Sequence, residues 1–225
     1  DLGIVERDLS SAVVLVTGAA GSIGSELARQ VAGFGPKTLI LFDQAESPLY
    51  FLQVELARTF PALTVVPVIG DIVDAPRVDD VFALYRPDVV FHAAAYKHVP
   101  MMEFHPAEAV RNNVQGTMHV AETAVRHGAR KFVLISTDKA VNPSSVMGTT
   151  KRLAELIVLG HPALVGHGTD FRAVRFGNVL GSAGSVIPLF QRQLAEGGPL
   201  TVTDPEVRRF FMTIPEAVEL VLQAA

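Results

Sequence analysis

The sequence contains no cysteine. That absence excludes disulfide bonds, thiolate metal ligands and cysteine nucleophiles together, and it is typical of a cytoplasmic protein, which is the location we expect. The seven histidines show no paired ligand spacing, so the sequence predicts no metal site. No segment approaches the roughly 18 uncharged apolar residues that a membrane-spanning helix needs. Residues 1–11 carry too much charge for a signal peptide, so we expect no membrane contact by this segment.

The composition is that of an ordinary folded protein. A formal net charge of −4 and a hydrophobic content of 49% indicate no general attraction to nucleic acid or to anionic membranes. The 225 residues suffice for one sizeable α/β domain with a small appended lobe. The chain lacks an initiator methionine and ends inside a helical pattern, which leads us to expect a fragment of a longer protein.

A glycine-rich turn lies between the first strand pattern and the first helix pattern. Residues 12–16 form a buried-strand run that leads into residues 17–24, and a helical pattern follows at once. Glycines here permit a tight turn, a close approach of the backbone to a pyrophosphate and close packing of helix on strand. The helix N-terminus then offers N–H groups to the phosphates. We therefore predict dinucleotide contacts from Gly18, Ala20, Gly21, Ser22, Ile23 and Gly24.

Asp43 ends the next strand pattern, which covers residues 38–42. It falls about 20 residues beyond the glycines, where a carboxylate accepts hydrogen bonds from the adenosine ribose diol of a dinucleotide. The same carboxylate repels a 2′-phosphate, so the sequence favours NAD over NADP. The alternative interpretation of Asp43 is a simple turn former.

Further polar and small residues follow the third and fourth strand patterns, at residues 63–69 and 88–91. Asp71 either reaches the adenine amino group or caps a helix that begins near Val73. Behind the fourth strand, small side chains let a flat cofactor lie against the backbone. The predicted cofactor surface there consists of Ile72, Ala93, Ala94 and Ala95, with His92 at the same edge. Tyr96, Lys97 and His98 then place polar side chains at the cleft edge, unless they form an exposed loop with a satisfied histidine.

Strands and helices alternate along the chain, so the fold class is α/β, with a parallel, doubly wound, Rossmann-like sheet. Ligands of such sheets bind beyond the carboxyl ends of the strands, which is where the glycine loop and the acidic residues fall. We predict an N-terminal extension at residues 1–11 and an NAD-binding domain at residues 12–177. Residues 178–225 would form a small, truncated substrate-binding part interleaved with the main domain.

The candidate reaction centre follows a short β-branched run at residues 133–135, where a buried strand ends and a cleft opens. Its members are Ser136, Thr137, Asp138, Lys139, Met147 and Lys151. The last two lie one helical turn apart on the same face of the next helix. The plain alternative is a surface ion pair beside a capped turn, since exposed pairs are common and weak.

Two later stretches also carry predictions. Residues 177–185 are too glycine-rich for a regular element and too regular for a linker, so we expect a loop that faces phosphate or sugar. Arg208 and Arg209 form a basic pair suited to a diphosphate, with a solvated charge pair as the alternative. Residues 104–127 show the pattern of one long helix. Asn112 and Asn113 are unfavourable in the middle of a helix, which indicates tertiary hydrogen bonding there.

These motifs resemble the extended short-chain dehydrogenase/reductase superfamily. More closely, the sequence is similar to bacterial nucleotide-sugar 4,6-dehydratases that act on UDP-N-acetylglucosamine in polysaccharide and glycan synthesis. The resemblance covers residues 12–225 and rests on residues 17–24, 92–100, 136–151, 175–188 and 208–215. The usual superfamily tyrosine, four residues before the lysine, is Met147 here, and a thioether cannot carry the substrate proton. The methionine variant is found among dehydratases of this type, especially those like the ones that retain C5 configuration.

The resemblance implies an internal redox dehydration in which hydride leaves sugar C4 for NAD, water is lost across C5 and C6, and hydride returns to C6. Thr137 would orient the C4 hydroxyl, and Lys151 would hold the nicotinamide ribose. Because Met147 replaces the usual tyrosine, the group that takes the C4 hydroxyl proton stays open, with Asp138 or a water as the candidates. Lys139 and Asp138 would act as base and acid, so the pKa of Lys139 must fall, that of Asp138 must rise, and their titrations are coupled. The implied substrate contacts are Lys97, His98, Asn178, Val179, Ser185, Val186, Pro188, Arg208 and Arg209.

Two other functions stay open at this point. A UDP-sugar 4-epimerase would use the same fold and substrate, although its usual tyrosine is missing. A non-catalytic nucleotide-binding module is favoured by Met147 and by the early end of the chain. The resemblance also implies a homo-oligomer formed through a four-helix contact, and relatives preceded by membrane-spanning helices imply an inner-membrane anchor for a longer protein.

Overall fold

A six-stranded parallel sheet forms the centre of the computed structural model, which describes residues 2–164, 166–182, 186–202, 204–206 and 208–225. Its strands are β1 (Val13–Thr17), β2 (Thr38–Asp43), β3 (Thr64–Ile69), β4 (Val89–His92), β5 (Lys131–Thr137) and β6 (Asp170–Phe176). The spatial order is β3-β2-β1-β4-β5-β6. Strand order therefore reverses between β1 and β4, which confirms the predicted doubly wound, Rossmann-like fold.

Helices cover both faces of this sheet. They are α1 (Leu2–Leu9), α2 (Ser22–Gly33), α3 (Glu46–Thr59), α4 (Ala75–Tyr85), α5 (Val99–Phe104), α6 (Pro106–Val110), α7 (Thr117–Arg126), α8 (Val146–Gly160), α9 (Val186–Ala195) and α10 (Ile214–Gln223). Helices α1, α2, α3 and α10 bury apolar residues on one face, and α4, α7 and α8 do so on the other. Because both faces are covered, the central strands are continuous apolar runs without polar alternation.

Side-chain caps fix where the helices near the cleft begin. The hydroxyl of Ser145 accepts a hydrogen bond from the backbone N–H of Gly148 at 3.1 Å, and this cap starts α8. Thr213 and Glu216 form a reciprocal capping box at the start of α10. The cap at Ser145 sets the helical phase that turns Met147 and Lys151 toward the sheet, where both side chains are buried.

The prediction of one long helix over residues 104–127 was wrong. Helix α5 ends at Phe104, α6 follows, and residues Arg111–Gly116 form a π-helical segment before α7 begins. The wider turn places Asn112 and Asn113 in the interior, where both are buried. The predicted tertiary hydrogen bonding is confirmed, because Asn113 bonds the backbone of Tyr96, and a π-bulge of this kind is frequent at functional sites.

The prediction of an irregular loop over residues 177–185 was wrong in part. Residues Asn178–Val179 form a short strand, β7, that pairs in parallel with β8 (Phe211–Met212). A side chain at Gly177 would meet the backbone carbonyl oxygen of Phe210 at 2.9 Å, so the two segments approach too closely there for a larger residue. Residues 183–185 lie outside the described residues, and the prediction for Ser185 lies there.

The two ends of the chain both pack on the main sheet. Val5 and Leu9 of α1, and Val218 and Leu222 of α10, lie in the same apolar core as α2. The boundary predicted at residue 178 stays a prediction, although α10 packs on the NAD-binding part. Among the described residues, no helix combines the length and apolar character needed to cross a bilayer.

Candidate active site

Two adjoining cavities follow the carboxyl edge of the sheet. One of about 270 Å³ lies against the glycine loop and the ends of β2 and β3. The other, of about 290 Å³, lies over the end of β5 and reaches β7 and α9. Ala93, Ala95 and Tyr96 line both cavities, so the two form one continuous cleft above β4. This is the position at which doubly wound sheets bind ligands.

The glycine loop has the shape that a dinucleotide pyrophosphate requires. Gly18 has a φ of +67°, and a β-carbon there would lie 2.5 Å from the backbone nitrogen of Ala94. A β-carbon at Gly24 would collide with the carbonyl of Gly18. Helix α2 starts directly after Gly21, which lines the cavity, so the start of the helix lies beside the space that a phosphate would fill. The loop therefore fits the phosphates of NAD.

Asp43 holds the glycine loop as well as lining the cavity. Its Oδ2 accepts a hydrogen bond from the backbone nitrogen of Ala20 at 2.9 Å, and its Oδ1 accepts one from Ala45 at 2.9 Å. Each carboxylate oxygen retains a lone pair for a further donor. Binding of an adenosine ribose by Asp43 stays a prediction that this geometry permits.

The remaining predicted cofactor residues have separate positions. Those that line the cavity beside the glycine loop are Gly18, Ala20, Gly21, Asp71, Ile72, Ala93, Ala94 and Ala95. Ile23 lines the other cavity, and Ser22 is the first residue of α2. Asp71 does not cap a helix, because α4 begins at Ala75 and Asp74 accepts the hydrogen bond from its first turn. Asp71 Oδ1 instead accepts from the backbone nitrogen of Val73 at 3.0 Å.

The expectation that His92 lies at the cleft edge was wrong, since its side chain is fully buried beneath it. The Nδ1 atom lies 2.7 Å from Thr17 Oγ1, and Nε2 lies 3.0 Å from Thr117 Oγ1. Burial, reinforced by the charge of Lys151, lowers the pKa of His92 to about 3, so the ring is neutral at physiological pH. His92 therefore links β1, β4 and α7 as a neutral, hydrogen-bonded side chain.

Thr137, Asp138 and Lys139 form one hydrogen-bonded group at the end of β5. Thr137 Oγ1 donates to Asp138 Oδ1 at 2.9 Å, and Lys139 Nζ donates to the same oxygen at 3.1 Å. Burial pushes the pKa of Asp138 upward, but the hydrogen bonds from Lys139 and Thr137 outweigh it and hold that pKa below its usual range. Without substrate the pair is therefore ionic. The raised pKa that the acid role requires is absent from this arrangement.

Ser136 lines the same cavity, but its hydroxyl is already engaged by a buried carboxylate. Its hydroxyl is buried and donates to Glu155 Oε1 at 2.6 Å. Glu155 is buried on α8 and accepts two further bonds from Arg175, at 2.8 and 2.5 Å, and one from Arg152 at 3.0 Å. Sequence reasoning missed Glu155. Its spacing of four residues from Lys151 was the available signal.

Lys151 is buried at the floor of the cleft, with 5% of its surface exposed. Its Nζ donates a hydrogen bond to the backbone oxygen of Ile135 at 2.7 Å. Burial lowers the pKa of Lys151 to about 8, although the negative charge of Glu155 acts in the opposite direction. An ammonium group held by one carbonyl keeps other donors for a ribose hydroxyl.

Met147 lies in an apolar cluster beside Lys151, and it lines the same cavity. The cluster contains the buried residues Met102, Ala109 and Met147, against which Tyr96, Val99 and Val146 pack. Met147 is 3% exposed, so its thioether forms part of the wall of the cleft. Catalytic proton transfer by this side chain is excluded by its chemistry.

The predicted substrate contacts fall into three groups. Lys97, His98, Asn178, Val179 and Val186 line the cavity above β5. Asn178 Oδ1 accepts a hydrogen bond from Lys139 Nζ at 2.9 Å, so the short strand β7 is tied to the reaction centre. Pro188, Arg208 and Arg209 are exposed and do not line this cavity. A diphosphate contact by the arginines stays a prediction.

Comparison with known proteins identifies the family to which the chain belongs. A family model described as "Polysaccharide biosynthesis protein" matches residues 14–225. The chain is 53% identical over 225 residues to the capsular polysaccharide biosynthesis protein CapD of Staphylococcus aureus. That match covers 100% of this chain and 37% of CapD, so the chain spans well under half the length of this relative.

Two further curated relatives have different activities in their names. One is a UDP-N-acetylglucosamine 4,6-dehydratase (inverting) of Campylobacter jejuni, 34% identical over 93% of this chain and 62% of the relative. The other is a UDP-glucose 4-epimerase of Rickettsia rickettsii, 36% identical over 94% of this chain and 62% of the relative. Both names describe nucleotide-sugar enzymes, and the two identities are too similar to separate dehydratase from epimerase.

Solved structures agree with the fold, and two of the similar proteins were solved with NAD+ or with a UDP-sugar. Pen from Bacillus thuringiensis has a TM-score of 0.89 and 37% identity, covering 96% of this chain and 68% of Pen. WbmH of Bordetella bronchiseptica, solved in complex with NAD+, has a TM-score of 0.74 and 25% identity over 95% of this chain and 71% of WbmH. A UDP-glucose 4-epimerase of Thermotoga maritima, solved with UDP-glucose, has a TM-score of 0.78 and 26% identity over 94% of this chain and 72% of the epimerase.

Proposed function

The chain belongs to the polysaccharide biosynthesis protein family, and on that premise we propose that it is an NAD-dependent UDP-N-acetylglucosamine 4,6-dehydratase. The observation that carries the proposal is the position of Lys139, whose Nζ is 3.1 Å from Asp138 and 2.9 Å from Asn178 in the wall of the cleft. Loss of water across C5 and C6 needs a base and an acid close together. Epimerisation at C4 needs no such pair.

The cofactor would lie along the two adjoining cavities. The glycine loop would bind its pyrophosphate, Asp43 the adenosine ribose diol and Lys151 the nicotinamide ribose. When bound, NAD supplies the group that accepts hydride from sugar C4 and returns it to C6. The carboxylate of Asp43 supports NAD over NADP, because a 2′-phosphate would meet like charge there.

A single proton shift within the pair would prepare both groups for elimination. Moving one proton from Lys139 Nζ to Asp138 Oδ1, across 3.1 Å, converts an ammonium and a carboxylate into an amine and a carboxylic acid. The amine then takes the C5 proton, which the neighbouring C4 ketone makes acidic, and the acid protonates the departing C6 hydroxyl. Burial of the pair by the sugar favours this neutral form, because desolvation disfavours both charges.

The decisive experiment is mass spectrometry of UDP-N-acetylglucosamine after incubation with the protein and NAD in heavy water. We expect a product lighter by one water that carries deuterium at C5, because the C5 proton is removed and the proton that replaces it comes from a group that exchanges with solvent. A product of unchanged sugar composition would contradict a dehydratase. Titration of NAD and UDP by calorimetry in the same preparation separates a lack of turnover from a lack of binding.

A UDP-sugar 4-epimerase is the second candidate, supported by the 36% identity to the Rickettsia rickettsii enzyme. An epimerase needs one group that exchanges the C4 hydroxyl proton, and it leaves C5 and C6 untouched. The same mass spectrum distinguishes it, because the product then has the mass of the substrate and elutes as the C4 epimer. Retention of configuration at C5 and assembly into a homo-oligomer stay predictions alongside the activity.

A further inference from the structure

We propose that the side-chain oxygen of Tyr96, acting as a phenolate, accepts the proton of the sugar C4 hydroxyl during the oxidation step. This inference rests on the proposed function, because it concerns the first step of that reaction. Oxidation of an alcohol to a ketone releases one hydroxyl proton as well as a hydride. Met147 cannot accept that proton, so another group in the cleft must take it.

One base is enough to account for the proton that this oxidation step releases. With NAD bound, the C4–H bond would break with its electron pair, which the cofactor would accept as hydride, and the proton of the C4 hydroxyl would pass to the Tyr96 oxygen, which enters the step as a phenolate. Later steps release the C5 proton and use two protons, one on the departing C6 hydroxyl and one on C5 again. The proton held by Tyr96 therefore supplies the second of these, and the phenolate is restored for the next turnover.

Other polar groups facing this cavity are already engaged. Lys151 donates to the Ile135 carbonyl, and Lys139 is held by Asp138 and Asn178. The hydroxyl of Ser136 is bound to Glu155, and that of Thr137 to Asp138. The groups of Lys151, Ser136 and Thr137 are therefore occupied by hydrogen bonds, and Lys139 and Asp138 are needed for the elimination step.

The polar residues that follow Tyr96 are poorly placed for the role. Partial burial lowers the pKa of Lys97, but the residue is exposed, and while it is an ammonium it has no lone pair to offer. His98 is also exposed and precedes the first turn of α5, at the rim of the cleft. A base for C4 must stay on the face of the cavity where the cofactor and the sugar meet.

Tyr96 occupies that boundary. It is half-buried and is one of three residues that line both cavities. Its ring packs against the cluster formed by Met102, Ala109 and Met147, so it lies beside the helix face that carries Lys151. Within the part of the chain that the structure describes, its phenol oxygen has no hydrogen-bond partner, whereas the other hydroxyls of the cavity floor do.

The backbone of Tyr96 is fixed from both sides by one side chain. Asn113 Oδ1 accepts from the Tyr96 nitrogen at 2.8 Å, and Asn113 Nδ2 donates to the Tyr96 oxygen at 3.0 Å. The same Nδ2 donates to Thr150 Oγ1 at 3.1 Å, which ties this anchor to α8. Asn113 is therefore a positioning residue, and it gives Tyr96 the fixed geometry that proton transfer requires.

The test is Tyr96→Phe, which removes one oxygen and leaves the ring in its packing site. We expect the rate of cofactor reduction in the first turnover with UDP-N-acetylglucosamine to fall by about 100-fold or more, the usual range for loss of a general base. The dissociation constants of NAD and UDP should stay within about twofold of the parent values. Tyr50→Phe, on the exposed face of α3, is the matched control and should leave all of these unchanged.

A double variant distinguishes a chemical role from a structural one. Adding Met147→Tyr to Tyr96→Phe places a phenol on the other side of the same apolar cluster, beside Lys151. We expect this double variant to reduce the cofactor at least tenfold faster than Tyr96→Phe alone. No regain together with weakened NAD binding would show that Tyr96 is needed for packing, which overturns the proposal.

Binding can be followed without turnover because the chain contains only three tyrosines. In a sample with isotope-labelled tyrosine, the signal that Tyr96→Phe removes should shift when UDP-N-acetylglucosamine is added, and the other two should not. If the parent protein makes product and Tyr96→Phe matches its rate, the inference is wrong and the proposed function stands. If the parent protein makes no product while its Tyr96 signal still shifts, the proposed function is wrong and so is this step.

Discussion

The two halves of the cleft are built in different ways. Under the cofactor half, α2 buries Leu27, Ala28 and Val31 completely against the sheet. Over the sugar half, α9 has no buried residue in its ten described positions, and Leu194 is 64% exposed. The cofactor half is thus shaped before any ligand arrives, whereas the sugar half presents apolar surface that a ligand or another part of the protein has yet to cover.

The reaction centre lies between these halves and depends on both. Lys139 lies two residues after the end of β5, and its amine is bonded to Asn178 of the short strand β7, which lines the sugar half. Because Lys139 is bonded to this sugar-facing segment, its position can change when a ligand fills the cleft. The following changes test this division, from the largest expected effect to the smallest.

Lys139→Ala should abolish product formation without changing the cofactor half of the cleft. We expect product formation to fall by about 1,000-fold or more, since the base for C5 is lost. NAD affinity should be unchanged, because no part of the glycine loop contacts Lys139 in the described residues. Lys37→Ala, at an exposed position before β2, is the control, and parent-like turnover in Lys139→Ala would remove that residue from the mechanism.

The same truncation in the two halves should have very different effects on stability. Leu27→Ala removes a fully buried side chain, and we expect a loss of about 2 to 5 kcal/mol in the free energy of unfolding. Leu194→Ala removes an exposed one and should cost less than about 0.5 kcal/mol. Urea unfolding of both variants measures the difference. Equal losses would mean that α9 is packed as firmly as α2.

The buried Lys151 should make stability depend on pH. Because burial lowers its pKa to about 8, the unfolded chain binds more protons than the folded one between about pH 8 and 10.5, so stability rises with pH across that window. The penalty below pH 8 is on the order of 3 kcal/mol. Lys151→Met should abolish this rise. A parallel pH profile of unfolding for the two proteins would show that Lys151 keeps its ordinary pKa.

Gly18→Ala should damage the cofactor half alone. Its φ of +67° strains any other residue, and the added carbon would meet Ala94, so we expect about 2 kcal/mol of destabilisation with a matching loss of NAD affinity. Gly33→Ala, at the end of α2, has open space and an ordinary φ, and should be neutral or slightly stabilising. UDP binding should survive both changes, and calorimetry of NAD and UDP separates these effects.

Much of this molecule follows from its sequence. The order of strands and helices, the glycine turn and the position of residues 136–139 at a strand end come from periodicity and turn chemistry, which act between near neighbours. The strand predicted at residues 38–42, with Asp43 at its end, is observed as Thr38–Asp43. The placement of Asp43 beside the glycine loop was likewise predictable, because parallel strands end at one edge of a sheet.

Other features depended on contacts between residues that are distant in the chain. His92 was expected in the cleft but is buried, because it meets Thr17 and Thr117 on two other elements. Ser136 looked catalytic, yet its side chain faces Glu155, nineteen residues away. The π-helical turn that brings Asn113 to Tyr96 exists because the bonds it makes there offset a poorer helix.

By itself, therefore, the sequence determined the doubly wound sheet, the cofactor loop and the residues available for chemistry. These are local properties, because they depend on the spacing of side chains along the chain and on the backbone conformations that glycine allows. Only the tertiary structure decided which of those residues face the cleft, which are buried as structural links, and which hydroxyl is left without a partner. The reason is physical: orientation and protonation depend on neighbours that the fold brings together from far along the chain.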